Sequence, residues 1–556
     1  MNKKVCSFPI LFALLALLIG TCAVVFPASA QAVPTSTGSI TVSGTVASSY
    51  DAYQIFSANV VDGDSDAKTA TDLAWASDAA RDAVLPVLHS AGMPKSQTTA
   101  QEAAEWLNTD SHLTSALSAQ LARSLQSSGA VSVALNAGTT AELPCGYWLI
   151  VADDDVIAQG EAGTAPIMAL VGGSAVTVKP KAATPKVSKH VLEDSTAAWQ
   201  KAADATVADD LYWRLSATVP AGLTAYDTYT VQFVDTMSAG LDPSKVAASM
   251  RMYAAAGADG GFDAVSAGRD GRAGTEPAKG WTDITAQCAT MVAADGKTFT
   301  VRTGDLIAAL GGADAFAAGA RVVAVYNAPL NSACNHGIAK GNPNEVYLRY
   351  PRSPFADQSG DAGFTHTPSD DACAYTWDLA LTKRGSDGDK PLAGAVLSIA
   401  DDRGRTLAAD GTWDAEGKAT VTTGEDGRVT VSGVDSGKLE VRELKAPKGY
   451  TAFEGTRSVM VKAEGLDVDQ VAAAKPKLTI TAESPLRADS ADGSTGSLEA
   501  SLINTPTGTP PSITTGGFMP STGDMAMYAA AAAAVAGAAL IVVALLVKRG
   551  GGSHKE

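Results

Sequence analysis

The stretch LALTK at 379–383 puts a lysine on the apolar face of a β-strand. Residues two apart in a strand share a face, so Lys383 points the same way as the two leucines before it. The stretch LEVRE at 439–443 repeats the arrangement with Glu443, and LEASLIN at 498–504 repeats it with Asn504. Three strands of one region are therefore predicted to direct a lysine, a glutamate and an asparagine inward.

These residue types are unusual in a protein interior, because burying one unpaired charge costs several kcal/mol. Taken singly, each is more simply explained as a strand end whose side chain reaches water. Taken together, they are the groups that amide formation needs: a neutral amine, a protonated carboxyl group and a side-chain amide that loses ammonia. Burial favours both neutral forms, so an apolar core would promote this reaction.

The surrounding chain predicts a mainly β protein with several domains. The patterns favour a mixed α+β domain at 31–179, with helices at 73–89 and 99–127, and a middle β-sandwich domain at 180–374. A third, β-rich domain follows at 375–506, and a Thr/Pro/Gly linker follows at 507–518. The two-proline stretch KPKAATP at 179–185 marks the first domain boundary.

Both ends of the chain carry processing signals. Two lysines, an apolar run and the small residues ASA at 28–30 predict a signal peptide at 1–30. At the other end, MPSTG at 519–523 precedes 525–547, which carry no charge and are long enough to span a bilayer. A basic pair opens the tail at 548–556 and would hold it in the cytoplasm.

This C-terminal order resembles the sorting signal that sortases read in Gram-positive bacteria, with Met519 in place of a leucine. The resemblance implies recognition through Met519 and Pro520, cleavage between Thr522 and Gly523, and transfer of Thr522 to an amine. Cleavage would remove the apolar segment, so the protein would be membrane-inserted only as a sorting precursor. A surface protein that keeps this anchor is the alternative.

Further motifs resemble Gram-positive pilins. VRELKAPKGY at 441–450 resembles the E-box of this family, and LAGA at 392–395 resembles the opening of a Cna B-type domain. YQIF at 53–56, DTMSAGL at 235–241 and GNPN at 341–344 resemble segments of sortase-assembled major pilins. The resemblance implies tandem immunoglobulin-like sandwiches after an α+β pilin domain. It also implies an isopeptide bond between Lys383 and Asn504, with Glu443 assisting.

The middle domain departs from the family pattern. Lys189 and Asp235 match the family's lysine and catalytic acid, but Arg352 stands where an asparagine is usual. Arginine cannot be the acyl partner. We therefore expect no Lys–Asn bond here, and we expect a Lys189–Asp235–Arg352 ion cluster, or disulfides, in its place.

The number of cysteines allows disulfide bonds, which would stabilise the protein outside the cell. Two of the six cysteines lie in the signal peptide, and four remain that can form two disulfides in any of three pairings: Cys145, Cys288, Cys334 and Cys373. Their spacing matches no metal site, and no cofactor is expected. The net charge of −17, without a basic cluster away from the termini, argues against nucleic acid as a partner.

These observations predict a structural subunit of a pilus on the cell wall, joined head to tail by sortases and anchored to peptidoglycan. Lys181 is the expected amine that attacks the neighbouring subunit's thioester, with Lys179 next in order. A monomeric wall-anchored adhesin is the alternative, and a host-surface ligand is left open. A hydrolase is disfavoured because the sequence contains no GxSxG or HExxH motif. Apart from single-turnover isopeptide formation, we expect no enzymatic activity.

Overall fold

The computed structural model describes residues 36–508, except 45, 65–66, 110, 158–159, 164, 181–183 and 270. The signal peptide, the sorting motif, the apolar run at 525–547 and Lys181 lie outside the described residues. Within the described ranges, no helix is long and apolar enough to cross a membrane. The described chain forms six sheets and few helices, so the predicted mainly β architecture is confirmed.

The N-terminal part combines two small sheets with three helices. Its elements are β1 (Thr37–Val42), β2 (Ser49–Asp62), β3 (Lys68–Trp75), α1 (Asp78–Ser90), α2 (Ala100–Asn108), α3 (Ser115–Ser127), β4 (Ser132–Asn136), β5 (Thr140–Pro144), β6 (Gly146–Ala152), β7 (Ile167–Val171) and β8 (Val176–Val178). One sheet has the order β5-β1-β8; the other has the order β3-β2-β6-β7, with β4 on β2. Phe56, Leu121 and Leu149 join the helices and the second sheet in one apolar core.

The helix boundaries differ from those predicted at 73–89 and 99–127. The first helix starts at Asp78 because the residues before it belong to strand β3. The Ser77 hydroxyl then accepts a hydrogen bond from the first turn and caps the helix. The second stretch forms two helices, and Ser111, between them, has a φ of +60° that no helix accommodates.

The middle part is a two-sheet sandwich, as predicted. Its elements are β9 (Lys186–Glu193), β10 (Ala198–Gln200), β11 (Ala202–Asp204), β12 (Tyr212–Val219), β13 (Gln232–Met237), α4 (Val246–Ser249), β14 (Arg251–Ala256), β15 (Thr282–Asp283), β16 (Ala289–Val292), β17 (Thr298–Arg302), α5 (Leu306–Ala309), α6 (Ala313–Phe316), β18 (Ala320–Asn327), β19 (Asn342–Pro351), β20 (Phe364–His366) and β21 (Asp370–Tyr375). The sheet β10-β9-β12-β18-β14-β15 faces the sheet β11-β21-β19-β13-β17-β16, with β20 on β19. Trp213, Phe233 and Val322 lie in the core between them.

The C-terminal part is a second two-sheet sandwich. Its strands are β22 (Trp377–Gly385), β23 (Val396–Ala400), β24 (Thr406–Leu407), β25 (Trp413–Asp414), β26 (Val421–Thr422), β27 (Arg428–Val434), β28 (Gly437–Lys445), β29 (Tyr450–Thr451), β30 (Thr456–Glu464), β31 (Lys477–Ala482), β32 (Leu486–Asp492) and β33 (Ser497–Pro506). One sheet is β27-β22-β33-β29, with β32 on β33; the other is β25-β24-β23-β28-β30-β31, with β26 on β23. The first and last strands, β22 and β33, pair in parallel.

The two sandwiches meet through close backbone contacts. The segment 328–341, which joins β18 to β19, lies against the turn between β32 and β33, where the Ile338 amide donates to the Gly493 carbonyl at 3.2 Å and the Ala339 amide donates to the Ser494 carbonyl at 3.3 Å. Gly337 has a φ of +75°, and a Cβ added there would lie 2.4 Å from the carbonyl carbon of Thr495. Glycine is therefore required at this contact.

A second contact between the two sandwiches is ionic. The guanidinium of Arg405 donates to both carboxylate oxygens of Asp209, and Arg403 adds a bond of 2.9 Å to the same carboxylate. The Nε of Arg405 donates a further hydrogen bond to the Oδ2 of Asp401 at 2.6 Å. Paired guanidinium–carboxylate bonds fix direction as well as distance, so they restrict rotation of one domain against the other.

We expect Gly337→Ala to loosen this junction and to lower the free energy of unfolding by about 1–3 kcal/mol. The new methyl group would meet backbone atoms that cannot turn aside. Faster hydrogen exchange at the amides of Ile338 and Ala339, which bond to the C-terminal sandwich, would report the loosening. Gly138→Ala is the matched control, since Gly138 has a φ of +74° and no heavy atom within 4 Å of an added Cβ. Equal exchange at these two amides in the two variants would contradict the expectation.

Candidate functional site

The structure brings Lys383, Glu443 and Asn504 together between the two C-terminal sheets. Lys383 lies on β22 and Asn504 on the neighbouring strand β33, while Glu443 comes from β28 of the facing sheet. The three residues are 0%, 6% and 2% exposed. The alternative of solvated strand ends is therefore wrong for all three.

The carboxylate of Glu443 bridges the other two side chains. Its Oε1 lies 3.5 Å from the Lys383 Nζ, and the Asn504 Nδ2 donates to Oε1 at 2.9 Å and to Oε2 at 3.0 Å. Lys383 also donates to the carbonyl of Leu502 at 3.3 Å. The Asn504 Oδ1 is buried and has no hydrogen-bond partner among the described residues. Amine, carboxyl and amide thus meet, and one acceptor is left unsatisfied.

Burial lowers the pKa of Lys383 to about 8, against the opposing attraction of Glu443. A substantial fraction of this amine is therefore unprotonated at mildly alkaline pH, and only the unprotonated amine has a lone pair that can attack a carbonyl carbon. The adjacent carboxyl group is placed to move protons between the amine and the amide. The cluster has the groups and the contacts that amide formation needs.

A second cluster lies in the middle sandwich. Lys189 on β9 and Asp235 on β13 form an ion pair, and both side chains are 0% exposed. The Tyr326 hydroxyl on β18 accepts from the Lys189 Nζ at 2.9 Å and donates to the Asp235 Oδ2 at 2.9 Å. Burial lowers the pKa of Lys189 to about 8 and raises the pKa of Asp235, while the attraction between the pair opposes both shifts.

The predicted place of Arg352 in this cluster is wrong. Arg352 follows the end of β19, and its guanidinium donates to the carbonyl of Asp154 in the N-terminal domain at 3.2 Å. An asparagine at the start of the same strand takes the position instead. Asn344 is 0% exposed, its Nδ2 donates to the Tyr326 hydroxyl at 2.8 Å, and its Oδ1 has no partner among the described residues.

An asparagine that the sequence analysis did not assign therefore lies beside this cluster, while the expectation of no Lys–Asn bond in this domain stays a prediction. Strand parity could have found it, because Asn344 shares a face of β19 with Val346, Leu348 and Tyr350, all of them buried. The family resemblance places an asparagine at the end of this strand, where this chain has Arg352, whereas Asn344 lies near its start, in the GNPN stretch at 341–344.

The proposed disulfides are absent from the described residues, and all four cysteines are free. The Cys288 thiol donates to the carbonyl of Ile284 at 3.2 Å, and Cys373 is 2% exposed. Burial raises the thiol pKa of Cys288, Cys334 and Cys373 to about 11. Cys288 and Cys334 both pack against the middle core and Cys373 lies in the C-terminal core, with no bond between any two of the four.

Of the residues predicted to act between subunits, the structure describes only Lys179. Lys181, Met519, Pro520, Thr522 and Gly523 lie outside the described residues. Lys179 follows β8 and is exposed. In the described part of the chain, no group of three or more His, Cys, Asp or Glu residues is arranged to hold a metal ion.

Comparisons with known proteins agree with the C-terminal assignment. Residues 378–475 match the family model described as SpaA, a prealbumin-like fold domain. The chain is 31% identical over 134 residues to the trypsin-resistant surface T6 protein of Streptococcus pyogenes serotype M6, and this alignment spans 23% of each protein. The predicted resemblance to surface pilins of Gram-positive bacteria is confirmed.

Solved structures show more distant similarity. The T6 backbone pilin of serotype M6 Streptococcus pyogenes matches with a TM-score of 0.46 at 16% identity, covering 85% of this chain and 98% of that one. The full-length major pilin SpaD from Corynebacterium diphtheriae matches with a TM-score of 0.41 at 14% identity, covering 85% and 98%.

We expect Asn504→Ala, which keeps Lys383 as a free amine, to become more stable as pH rises from about 8 to 10.5. In this interval the unfolded chain binds more protons than the native protein, because the pKa of Lys383 is lowered on folding. The gain would reach up to about 3 kcal/mol, measured by denaturant unfolding at each pH.

The double variant Lys383→Met/Asn504→Ala is the control for this pH dependence. It lacks the titrating amine and keeps every other ionisable group, so the difference between the two curves isolates Lys383. The same pH dependence in both variants would contradict the lowered pKa.

Proposed function

We propose that this chain is a structural subunit of a covalently polymerised pilus on the surface of a Gram-positive bacterium. The observation that carries the proposal is the buried contact of Lys383, Glu443 and Asn504 in a domain that matches a pilin family model. In this role the protein is a sortase substrate and not a turnover enzyme.

The internal reaction joins the side chains of Lys383 and Asn504. The neutral Nζ attacks the Cγ of Asn504, a new C–N bond forms, and the Cγ–Nδ2 bond breaks so that ammonia leaves. Transfer of the lysine proton to Glu443 would leave a neutral amine and a carboxyl O–H, and a half-turn of the Asn504 amide would bring its unpartnered Oδ1 onto that O–H, which would polarise the carbonyl. The product is an uncharged amide, which removes the desolvation penalty of the ionised lysine.

The middle domain contains the groups for the same reaction. Lys189 would supply the amine, Asn344 the acyl group, and Asp235 the proton relay, with the Tyr326 hydroxyl between amine and amide. The placement differs from that of the C-terminal domain, because Asn344 lies in the sheet of its acid rather than in the sheet of its lysine. A bond here would join the two sheets of the sandwich to each other.

The bond between subunits would use the predicted terminal residues. A sortase would hold Thr522 as a thioester after cleavage before Gly523, and a lysine of the next subunit would attack it. Lys181 is our first candidate for this amine, and the exposed Lys179 is the second. The last subunit would pass to peptidoglycan, which would leave the polymer on the cell wall.

A monomeric wall-anchored adhesin remains the second candidate function. Its internal bonds and its sorting signal would be the same, and only the acceptor of Thr522 would differ. The experiment that separates the two therefore concerns polymerisation and not the internal chemistry.

We expect intact-mass measurement of the mature, reduced protein to show the loss of two molecules of ammonia. Lys383→Ala and Lys189→Ala should each restore one of them, since each removes one nucleophile. Lys179→Ala serves as the control and should leave the loss at two, because this lysine is exposed and belongs to neither cluster. The loss of a single ammonia would refute the bond in the middle domain, and no loss would refute both bonds.

We expect boiled cell-wall extracts to contain a ladder of covalent multimers that disappears in Lys181→Ala. Lys297→Ala, which changes an exposed lysine of the middle domain, should keep the ladder. A ladder that survives Lys181→Ala and disappears in Lys179→Ala would identify Lys179 as the amine. A single band from the unaltered protein would indicate the adhesin.

A further inference from the structure

A cleft of about 850 Å³ lies between the middle and C-terminal sandwiches. Its walls carry Asp209, Lys245 and Trp413, and the segment 328–341 forms one side. The cleft is separate from both lysine clusters, which are closed to solvent. It is also where Cys334, one of the four free cysteines, meets a histidine.

Three side chains form a chain of contacts at this cleft. The Cys334 Sγ lies 3.5 Å from the His336 Nε2, and the His336 Nδ1 lies 2.7 Å from the Asp378 Oδ2 as a close charge contact that lacks hydrogen-bond geometry. The other oxygen of Asp378 accepts from the Ser432 hydroxyl at 2.5 Å and from the Gly433 amide at 3.0 Å. The order is thiol, imidazole and a carboxylate that is itself held in place, as in an activated nucleophile.

The backbone around the thiol is fixed on both sides. The Asn335 amide donates to the Asn342 Oδ1 at 2.8 Å, and the Asn342 Nδ2 returns a bond to the Asn335 carbonyl at 2.9 Å. Gly240 packs behind the thiol, where an added Cβ would lie 2.7 Å from the Cys334 Cα. On the far side, Gly337 abuts the C-terminal sandwich, which supplies Asp378. The contact chain is therefore assembled by the docking of two domains.

The other cysteines lack this arrangement. Among the described residues, Cys145, Cys288 and Cys373 have no imidazole within hydrogen-bond distance, although Cys288 is exposed to a similar degree as Cys334. Burial raises the thiol pKa of Cys334 as it raises those of Cys288 and Cys373, so the feature that distinguishes Cys334 is the imidazole placed to accept its proton.

The surroundings also indicate which electrophile suits this thiol. An acyl transfer needs amide donors for an oxyanion, but the Cys334 amide is bonded to the Asn331 carbonyl and the Asn335 amide to Asn342. Displacement at the sulfur of a disulfide develops its charge on the leaving thiolate and needs no such donors. The volume of the cleft admits a small peptide-like disulfide.

We propose that Cys334 is an activated thiol that exchanges with low-molecular-weight disulfides, with His336 as its base and Asp378 as the residue that positions His336. The His336 Nε2 takes the thiol proton, and the Asp378 carboxylate, 2.7 Å from the His336 Nδ1, stabilises the imidazolium that results. The Cys334 sulfur then attacks one sulfur of R–S–S–R, a new S–S bond forms, and the original S–S bond breaks. The leaving R–S⁻ takes up the proton from His336, so Cys334–S–S–R and one R–SH are the products. The Cys334 sulfur is oxidised and the released sulfur is reduced.

The test treats the reduced full chain with glutathione disulfide and follows the mixed disulfide at each cysteine by peptide mass spectrometry. We expect Cys334 to react roughly tenfold or more faster than Cys288, because general-base catalysis commonly contributes at least this much. His336→Gln should abolish the difference, and Cys288→Ser should leave the rate at Cys334 unchanged. Equal rates at the two cysteines of the unaltered protein would overturn the proposal without recourse to any variant.

Asp378 is tested by replacement with Asn and with Glu. Asp378→Asn should slow the reaction at Cys334, and Asp378→Glu should restore part of the rate, since the positioning role needs a carboxylate. The rate at Cys288 and the thermal midpoint report whether each variant is folded. A rate at Cys334 that His336→Gln leaves unchanged would overturn the role of the base, and equal rates in the Asn and Glu variants would overturn the positioning role of Asp378.

Discussion

A lysine amine held entirely out of water sets the requirements for two of the three domains. Lys383 and Lys189 are each 0% exposed, and each is met by a carboxyl group from the opposite sheet. Facing sheets lie close enough for a long side chain of one to reach a short side chain of the other. Two packed sheets are therefore a precondition for the chemistry. The surrounding aromatic and aliphatic core supplies the low dielectric that shifts both amines toward neutrality.

The two clusters differ in the strand that carries the asparagine. In the C-terminal domain the asparagine lies on the strand next to the lysine, whereas in the middle domain it lies on the strand next to the acid. The middle cluster also interposes the Tyr326 hydroxyl, which bonds to amine, acid and amide alike. The shared feature is the set of chemical groups, and not a conserved order of strands.

Strand parity predicted the C-terminal cluster because Lys383, Glu443 and Asn504 each close a short run of alternating residues. The same rule applied to the whole of β19 indicates Asn344 as well, because Asn344 shares a buried face with Val346 and Leu348. The contact of Cys334 and His336 with Asp378 could not be predicted in this way. It depends on how two domains dock, and the periodicity of apolar residues within a strand or helix carries no information on such a contact. The helix break near Ser111 depends likewise on a single backbone conformation.

The parallel pairing of β22 with β33 has a mechanical consequence. In the proposed polymer, tension would load this domain at its first and last strands, and parallel neighbours loaded at opposite ends would have to slide along one another with all their hydrogen bonds strained at once. A covalent link from Lys383 to Asn504 would carry the pull directly from one strand to the other and would leave the loops and strands between them unloaded. Extension of the domain would then require breaking a covalent bond, and not merely crossing the unfolding barrier that limits an unlinked sandwich.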